Sequence, residues 1–282
     1  MTTTRASEQS ATAPAHAATI PIDAYVSTVA AEGQAFAAAA RLADWDTAVP
    51  AGPGWDVRTL VRHLSEIHLW AASNVALRPG AKLDLDDHSD LTVCWPDLAV
   101  FWPDDNDLID WYLTTNATLV DALTSAPADV AAETFLPAPS PLAMWARRQA
   151  HETAIHRFDA EAATGTTNDF DPAFAADGVS ELLYAFYEDV PRSEARAISL
   201  DRDHTMRIHA HDTGDDWYMT MGRRSIRRGD PGAPIDLTLT GTASDLYLAL
   251  WNRGTDSAIT AVGDRGLLEL WHTVTGVRWD LA

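Results

Sequence analysis

One stretch constrains this chain more than any other: Trp145-Ala-Arg-Arg-Gln-Ala-His-Glu-Thr-Ala-Ile-His-Arg-Phe-Asp-Ala-Glu161. It reads as a single helix, with Pro139 and Pro141 marking its entry and Gly165 just past its end. At about 100° per residue, Trp145, Gln149, Glu152, His156, Ala160 and Ala163 share one narrow stripe near Leu142. The small and apolar members turn that stripe toward a core, so Glu152 and His156 sit one turn apart on a buried face, while His151 points to the far side. A buried carboxylate without a partner is strongly disfavoured. A divalent metal shared with His156 is one partner, and the i, i+4 spacing suits two ligands from one helix. Arg148, four residues before Glu152, is the other: a plain ion pair would leave His156 as a hydrogen-bonded core histidine. The zinc-peptidase pattern HExxH is absent, because Ile155 stands where its second histidine belongs.

The rest of the chain supplies more helices. Residues 21–43 are alanine-rich, with Gly33 as the internal breaker, and read as a first helix. After the turn Val-Pro-Ala-Gly-Pro-Gly-Trp55, Asp56 is placed to cap a second helix over 57–77. Its core stripe carries Leu60, Leu64, Ile67 and His68, and His63 lies at the stripe's edge. His63 could supply a third ligand or be a half-buried structural histidine. A third helix is expected over 106–124. With the 145–163 helix these make four helices of about 20 residues joined by two long connections, which suits an antiparallel bundle. Beyond Gly165 the pattern changes: a helix over 174–189, strands over 197–200, 206–211, 217–221 and 235–240, and helices over 243–252 and 266–273. The fold class is therefore two-domain α+β. The expected division is a disordered tail over 1–18, a four-helix metal-binding domain over 19–168 and a smaller α+β domain over 169–282.

Composition removes several functions. The net charge of −21 over 282 residues opposes nucleic acid and anionic membrane surfaces. The single cysteine, Cys94, excludes an internal disulfide and a cysteine-based zinc cluster, and no basic group near it favours a thiolate. No apolar run approaches a membrane span, and the first 18 residues lack a signal-peptide core, so a cytoplasmic location is expected. The acidic segment 79–105 matches no EF-hand and reads as a solvated loop. In this acidic chain Arg223, Arg224, Arg227 and Arg228 stand out. They can grip a carboxylate or phosphate, or can guard a strand edge against pairing.

The chain resembles the mycothiol-dependent maleylpyruvate isomerase family, whose N-terminal domain is a DinB-like four-helix metal-binding fold. The resemblance rests on Pro53-Gly-Trp-Asp-Val-Arg-Thr-Leu-Val-Arg-His-Leu64, on the 145–161 stretch, and on Ala243-Ser-Asp-Leu-Tyr-Leu-Ala-Leu-Trp-Asn-Arg253 with Val262-Gly-Asp264. It implies one zinc ion on His63, Glu152 and His156, and it selects His63 over His68. Two histidines and a glutamate leave a zinc position open, which in the family receives the thiol of mycothiol. The thiolate then attacks an electrophilic small molecule. Addition to a double bond, rotation and departure of the thiol give a cis–trans isomerase; retention of the adduct gives an S-transferase. Asp159 is a candidate for orienting a ligand. Arg253 and Arg227 are candidates for gripping an anionic substrate or cofactor group. A non-catalytic metal or small-molecule binding protein, or a zinc-dependent hydrolase, would use the same scaffold.

Overall fold

The computed structural model describes residues 20–76, 103–187, 190–191, 200–222 and 225–275. Four long helices come first: α1 (Ile22–Ala40), α2 (Val57–Ala76), α3 (Leu108–Ser125) and α4 (Pro141–Ala163). Their boundaries reflect local chemistry. The Asp56 carboxylate accepts the Thr59 backbone N–H at 2.8 Å, starting α2. Ser140 caps α4 through the Ala143 N–H, with Pro141 in the first turn. Gly165, at φ +76°, closes it.

The helix directions depart from the expected antiparallel arrangement. Tyr25 meets His151 and Glu32 meets Arg157, so α1 and α4 run parallel. Phe36 packs on Tyr112 and Asn116 reaches Val29, so α3 runs against α1. On α2, His63, His68 and Trp70 meet His156, Thr153 and Trp145, an antiparallel pairing with α4. The order is up, down, down, up. A long α2–α3 connection permits this, since it can carry the chain back to the end where α2 began.

The second part starts with α5 (Pro172–Glu181), capped by Asp171 and continued as a π-helical turn over Leu182–Phe186. The strands β1 (Val190–Pro191), β2 (His204–Ala210), β3 (Asp216–Met221), β4 (Ser225–Arg228), β5 (Leu237–Gly241) and β6 (Thr260–Gly263) form one mixed sheet in the order β1-β4-β3-β2-β5-β6. Among the described residues only β2 and β5 pair in parallel, and α6 (Ala243–Leu250) and α7 (Gly266–Val274) are the remaining helices of eight residues or more. Met206, Ile208, Trp217, Met219, Leu237 and Leu239 are buried in the sheet at alternate positions. The strands expected over 206–211, 217–221 and 235–240 correspond to β2, β3 and β5. The sequence pattern does not predict strand β4, because Ser-Ile-Arg-Arg carries one apolar residue in four and reads as a charge cluster. Most of the 197–200 segment, the acidic stretch through residue 102, Cys94, Arg223 and Arg224 lie outside the described residues.

Bundle and sheet share continuous apolar packing. One apolar cluster runs from Tyr25, Ala71 and Leu119 through Trp145 and Ile155 to Phe174, Trp217, Leu246 and Trp271. A second, around Phe36, Trp55, Leu60, Leu64 and Tyr112, fills the other end of the bundle. Helix α4 lies between the bundle and the second part and is buried on nearly every face. The far side to which His151 points is thus a second interface, where its Nε2 lies 2.8 Å from the Asp177 carboxylate and its Nδ1 3.1 Å from the Tyr247 hydroxyl. Gly178 makes the approach possible, since a Cβ there would fall 2.4 Å from the Tyr247 ring. Among the described residues no helix is long and apolar enough to cross a membrane.

Candidate metal centre

His63 on α2 and Glu152 and His156 on α4 converge, each offering a ligand atom within 4.8 Å of the others. Glu152 Oε1 lies 3.2 Å from His156 Nε2 and 3.7 Å from His63 Nε2. The imidazoles meet edge to face at 5.2 Å, and the Trp55 ring packs on His63 at 4.8 Å. His63 and Glu152 keep about a quarter of their side chains exposed, at 25% and 23%, so the cluster is open to solvent on one side.

Each α4 member is held from behind. Glu152 Oε2 accepts from Arg148 Nη2 at 3.0 Å, so the ion pair suggested by the sequence forms and still leaves Oε1 turned toward the histidines. Arg148 also donates to Glu181 on α5 and lies over the rings of Phe186 and Trp251, at 5.1 and 5.5 Å. His156 Nδ1 donates to Asp159 Oδ2 at 2.9 Å. Asp159 is fully buried and receives Arg253 through Nε at 3.1 Å and Nη2 at 2.9 Å. A carboxylate–imidazole pair of this kind directs Nε2 into the site and raises its basicity. Two of the three candidate ligands are therefore tied to the C-terminal part of the chain.

This arrangement sets the electrostatics. Burial opposes the charged form of His156, but hydrogen bonds to Asp159 and Glu152 outweigh it and hold the pKa up at about 9. His156 must therefore release its Nε2 proton before that nitrogen can coordinate. Burial would raise the Glu152 carboxyl, yet the hydrogen bond from His156, the neighbouring His63 imidazole and the charge of Arg148 keep it well below the ordinary range. His63 is pushed down chiefly by burial, which favours the neutral, coordinating form.

His68, the alternative on α2, is fully buried and turned away from this cluster's ligand set. The Thr153 hydroxyl donates to the Gln149 carbonyl at 2.7 Å, so at 3.0 Å it accepts from His68 Nε2–H. Burial lowers the His68 pKa to about 3. A histidine whose folded pKa lies below its unfolded value stabilises the fold above the unfolded pKa, near 6.5, and that stability drains away as pH falls toward 3. Metal-free protein should lose stability below pH 6.5 with a His68 contribution approaching about 1.4 kcal/mol per pH unit. Denaturant titrations of His68→Leu should lack that slope; identical slopes in the two proteins would remove His68 as the cause.

Arg227 lies on β4, where its guanidinium donates to Asp203 at 2.7 Å with both side chains roughly half exposed. Neither Arg227 nor Asp203 belongs to the His63–Glu152–His156 cluster, and the neighbouring Arg228 stacks on Tyr184 at 3.8 Å. Exposed pairs of this type contribute about 0–1 kcal/mol. Arg227→Ala should leave the melting temperature and metal content unchanged, and steady-state kinetics would expose any role in gripping substrate as a raised KM. Arg253 is enclosed at 5% exposure and committed to Asp159, a connection its sequence position did not disclose. Glu181 also joins the site without a signal, since its partner Arg148 lies 33 residues away on another helix, whereas Trp55 stands in the same motif as His63, close to it in sequence.

The model for the mycothiol maleylpyruvate isomerase N-terminal domain matches residues 26–161, and the model for the C-terminal domain of the same family matches residues 173–270. Two crystal structures of the mycothiol-dependent maleylpyruvate isomerase resemble this fold. The one of a point mutant aligns with TM-score 0.58 and the other with 0.56, each at 11% identity over 86% of this chain and 93% of that one. At that identity the likeness establishes the shared fold. No curated protein matches the sequence closely enough to count as a relative.

Proposed function

The chain belongs to the mycothiol maleylpyruvate isomerase family, and on that premise we propose that it is an enzyme holding one zinc ion on His63, Glu152 and His156. Its thiol cosubstrate is mycothiol and its substrate an electrophilic small molecule, handled by thiol-dependent cis–trans isomerisation or by S-transfer. The observation that carries this reading is the pre-set donor trio: Glu152 Oε1 faces both imidazoles while Arg148 holds Oε2 and Asp159 holds His156 Nδ1. Nitrogen, nitrogen and oxygen donors suit zinc with an open position, and the fit requires no rearrangement of their hydrogen-bonded supports.

Zinc bound there supplies a Lewis acid that lowers a thiol's pKa, so that thiolate is available at neutral pH. The protein's own residues provide the rest. Asp159 holds the Nδ1 proton of His156, so that the proton released on coordination is the one on Nε2; Arg148 keeps Glu152 ionised, and Trp55 walls the His63 side with apolar surface. The partial exposure of His63 and Glu152 gives a thiol and an electrophile a way in.

Cobalt(II) substitution followed by mycothiol titration tests the proposal. About one cobalt per chain and a saturable sulfur-to-cobalt absorption in the near ultraviolet are expected. Turnover in a preparation shown to be free of thiol would instead select hydrolysis. Metal binding with neither the absorption nor turnover would leave a binding protein.

A further inference from the structure

On the opposite face of α4 from the His63–Glu152–His156 cluster lies a cavity of about 530 Å³, between the N-terminal end of α1, the entry to α4, and α5. Its walls are mostly apolar, with Ile22, Pro137, Pro139 and Ala143 among them, and Tyr25, Arg147 and Asp177 are its principal polar groups. These three form a tight knot. Asp177 Oδ2 accepts from the Tyr25 hydroxyl at 2.6 Å and from Arg147 Nε at 3.0 Å, and lies 2.8 Å from His151 Nε2. Arg147 Nη2 donates to the Asp177 backbone carbonyl at 2.8 Å.

The knot leaves two groups unspent. The three side-chain contacts to the carboxylate all fall on Oδ2, so Asp177 Oδ1 takes no hydrogen bond among the described residues, and neither does Arg147 Nη1. Burial would raise the Asp177 carboxyl, but His151 and Arg147 hold it far below the ordinary range, so Oδ1 is purely an acceptor. Because Asp177 and Arg147 neutralise each other, a net charge on an occupant would find no counter-charge there. The volume is that of a small-molecule pocket, with apolar walls and a few convergent polar groups.

We propose that this cavity is a second small-molecule site, taking an uncharged amphipathic ligand. An apolar body lies on the proline and isoleucine walls, and a head group offering one donor and one acceptor, as a carboxamide does, meets Asp177 and Arg147. The proposal does not rest on the metal reading, since none of these residues belongs to the metal cluster.

The probe is 4-phenylbutanamide, set against its N,N-dimethyl analogue, which lacks the N–H donor. Amide NMR of the ¹⁵N-labelled, metal-loaded protein should show saturable shifts at millimolar probe or below, confined to Ile22–Tyr25, Ala143 and Asp177–Ser180. The dimethyl analogue should bind roughly tenfold more weakly, the loss expected for one hydrogen bond to a charged group. Ala143→Phe should fill the cavity and abolish the shifts, leaving metal content and thiol-dependent turnover as they were. Absence of saturable shifts would overturn the site, and equal binding of the two amides would overturn the polar head. Shifts that persist in Ala143→Phe would overturn the location. The amide pair needs no variant, so the outcome stands even if Ala143→Phe misfolds.

Discussion

Glu152→Gln is expected to lose its metal while remaining folded. The substitution keeps the size of the side chain and leaves an amide oxygen for Arg148, which retains its bond to Glu181. It removes the anionic oxygen that faces both His63 and His156. Without it, two imidazoles with no carboxylate between them would have to bind a dication, and His156 loses one of the two acceptors supporting it. Loss of a supporting hydrogen bond to a ligand costs roughly 10–100-fold in metal affinity. Loss of the ligand itself should exceed that range, and thiol-dependent turnover should vanish with the metal. Elemental analysis of tag-free protein, with a melting curve in chelator beside it, checks both halves. A variant that kept zinc at full stoichiometry would remove Glu152 from the site; one that failed to melt cooperatively would show that the carboxylate chiefly holds the fold.

Arg253→Met should damage the fold and the metal site together. Asp159 is wholly buried and receives both of its Arg253 hydrogen bonds from the C-terminal part of the chain. Burial alone would raise that carboxyl, but the arginine's charge and the bonds from His156 and Arg253 hold it below its ordinary range. Removing one partner of a buried ion pair costs about 3–5 kcal/mol, because the remaining charge stays desolvated. Metal affinity should fall by roughly 10–100-fold as the support of His156 loosens. Adding Asp159→Asn should recover much of the stability, since no charge is then stranded. It should not recover the affinity, since an amide oxygen polarises the imidazole less than a carboxylate. If Arg253 gripped substrate instead, the role for which the sequence made it a candidate, Arg253→Met would raise KM with metal affinity intact. Denaturant titration, competitive zinc binding and the split between kcat and KM separate these outcomes.

What could be read from the sequence was local. Helix α4 and its limits are written in Pro141, Ser140 and Gly165, and the geometry of a single helix places Glu152 and His156 one turn apart. The helical pattern of α2 put both His63 and His68 near the core without choosing between them. The family motif selected His63, and the fold brings it beside Glu152 while His68 is spent on Thr153. Strand β4 was hidden because its side chains carry charge rather than alternation, and the direction of α3 depended on a connection whose path no periodicity encodes.

By itself, then, the sequence determined the four helices, the α+β character of the C-terminal part, and which α4 residues share a face, because each depends on residues within a turn or two of one another. The tertiary structure alone decided that α4 would be buried on its other face too, so that His151 meets Asp177 and Tyr247. It alone joined Arg253 to Asp159 and Arg148 to Glu181, across 94 and 33 residues of chain. Such pairs form because a buried charge must find its counter-charge wherever packing happens to bring one, and that choice is made by the register between elements rather than by the pattern within any one of them.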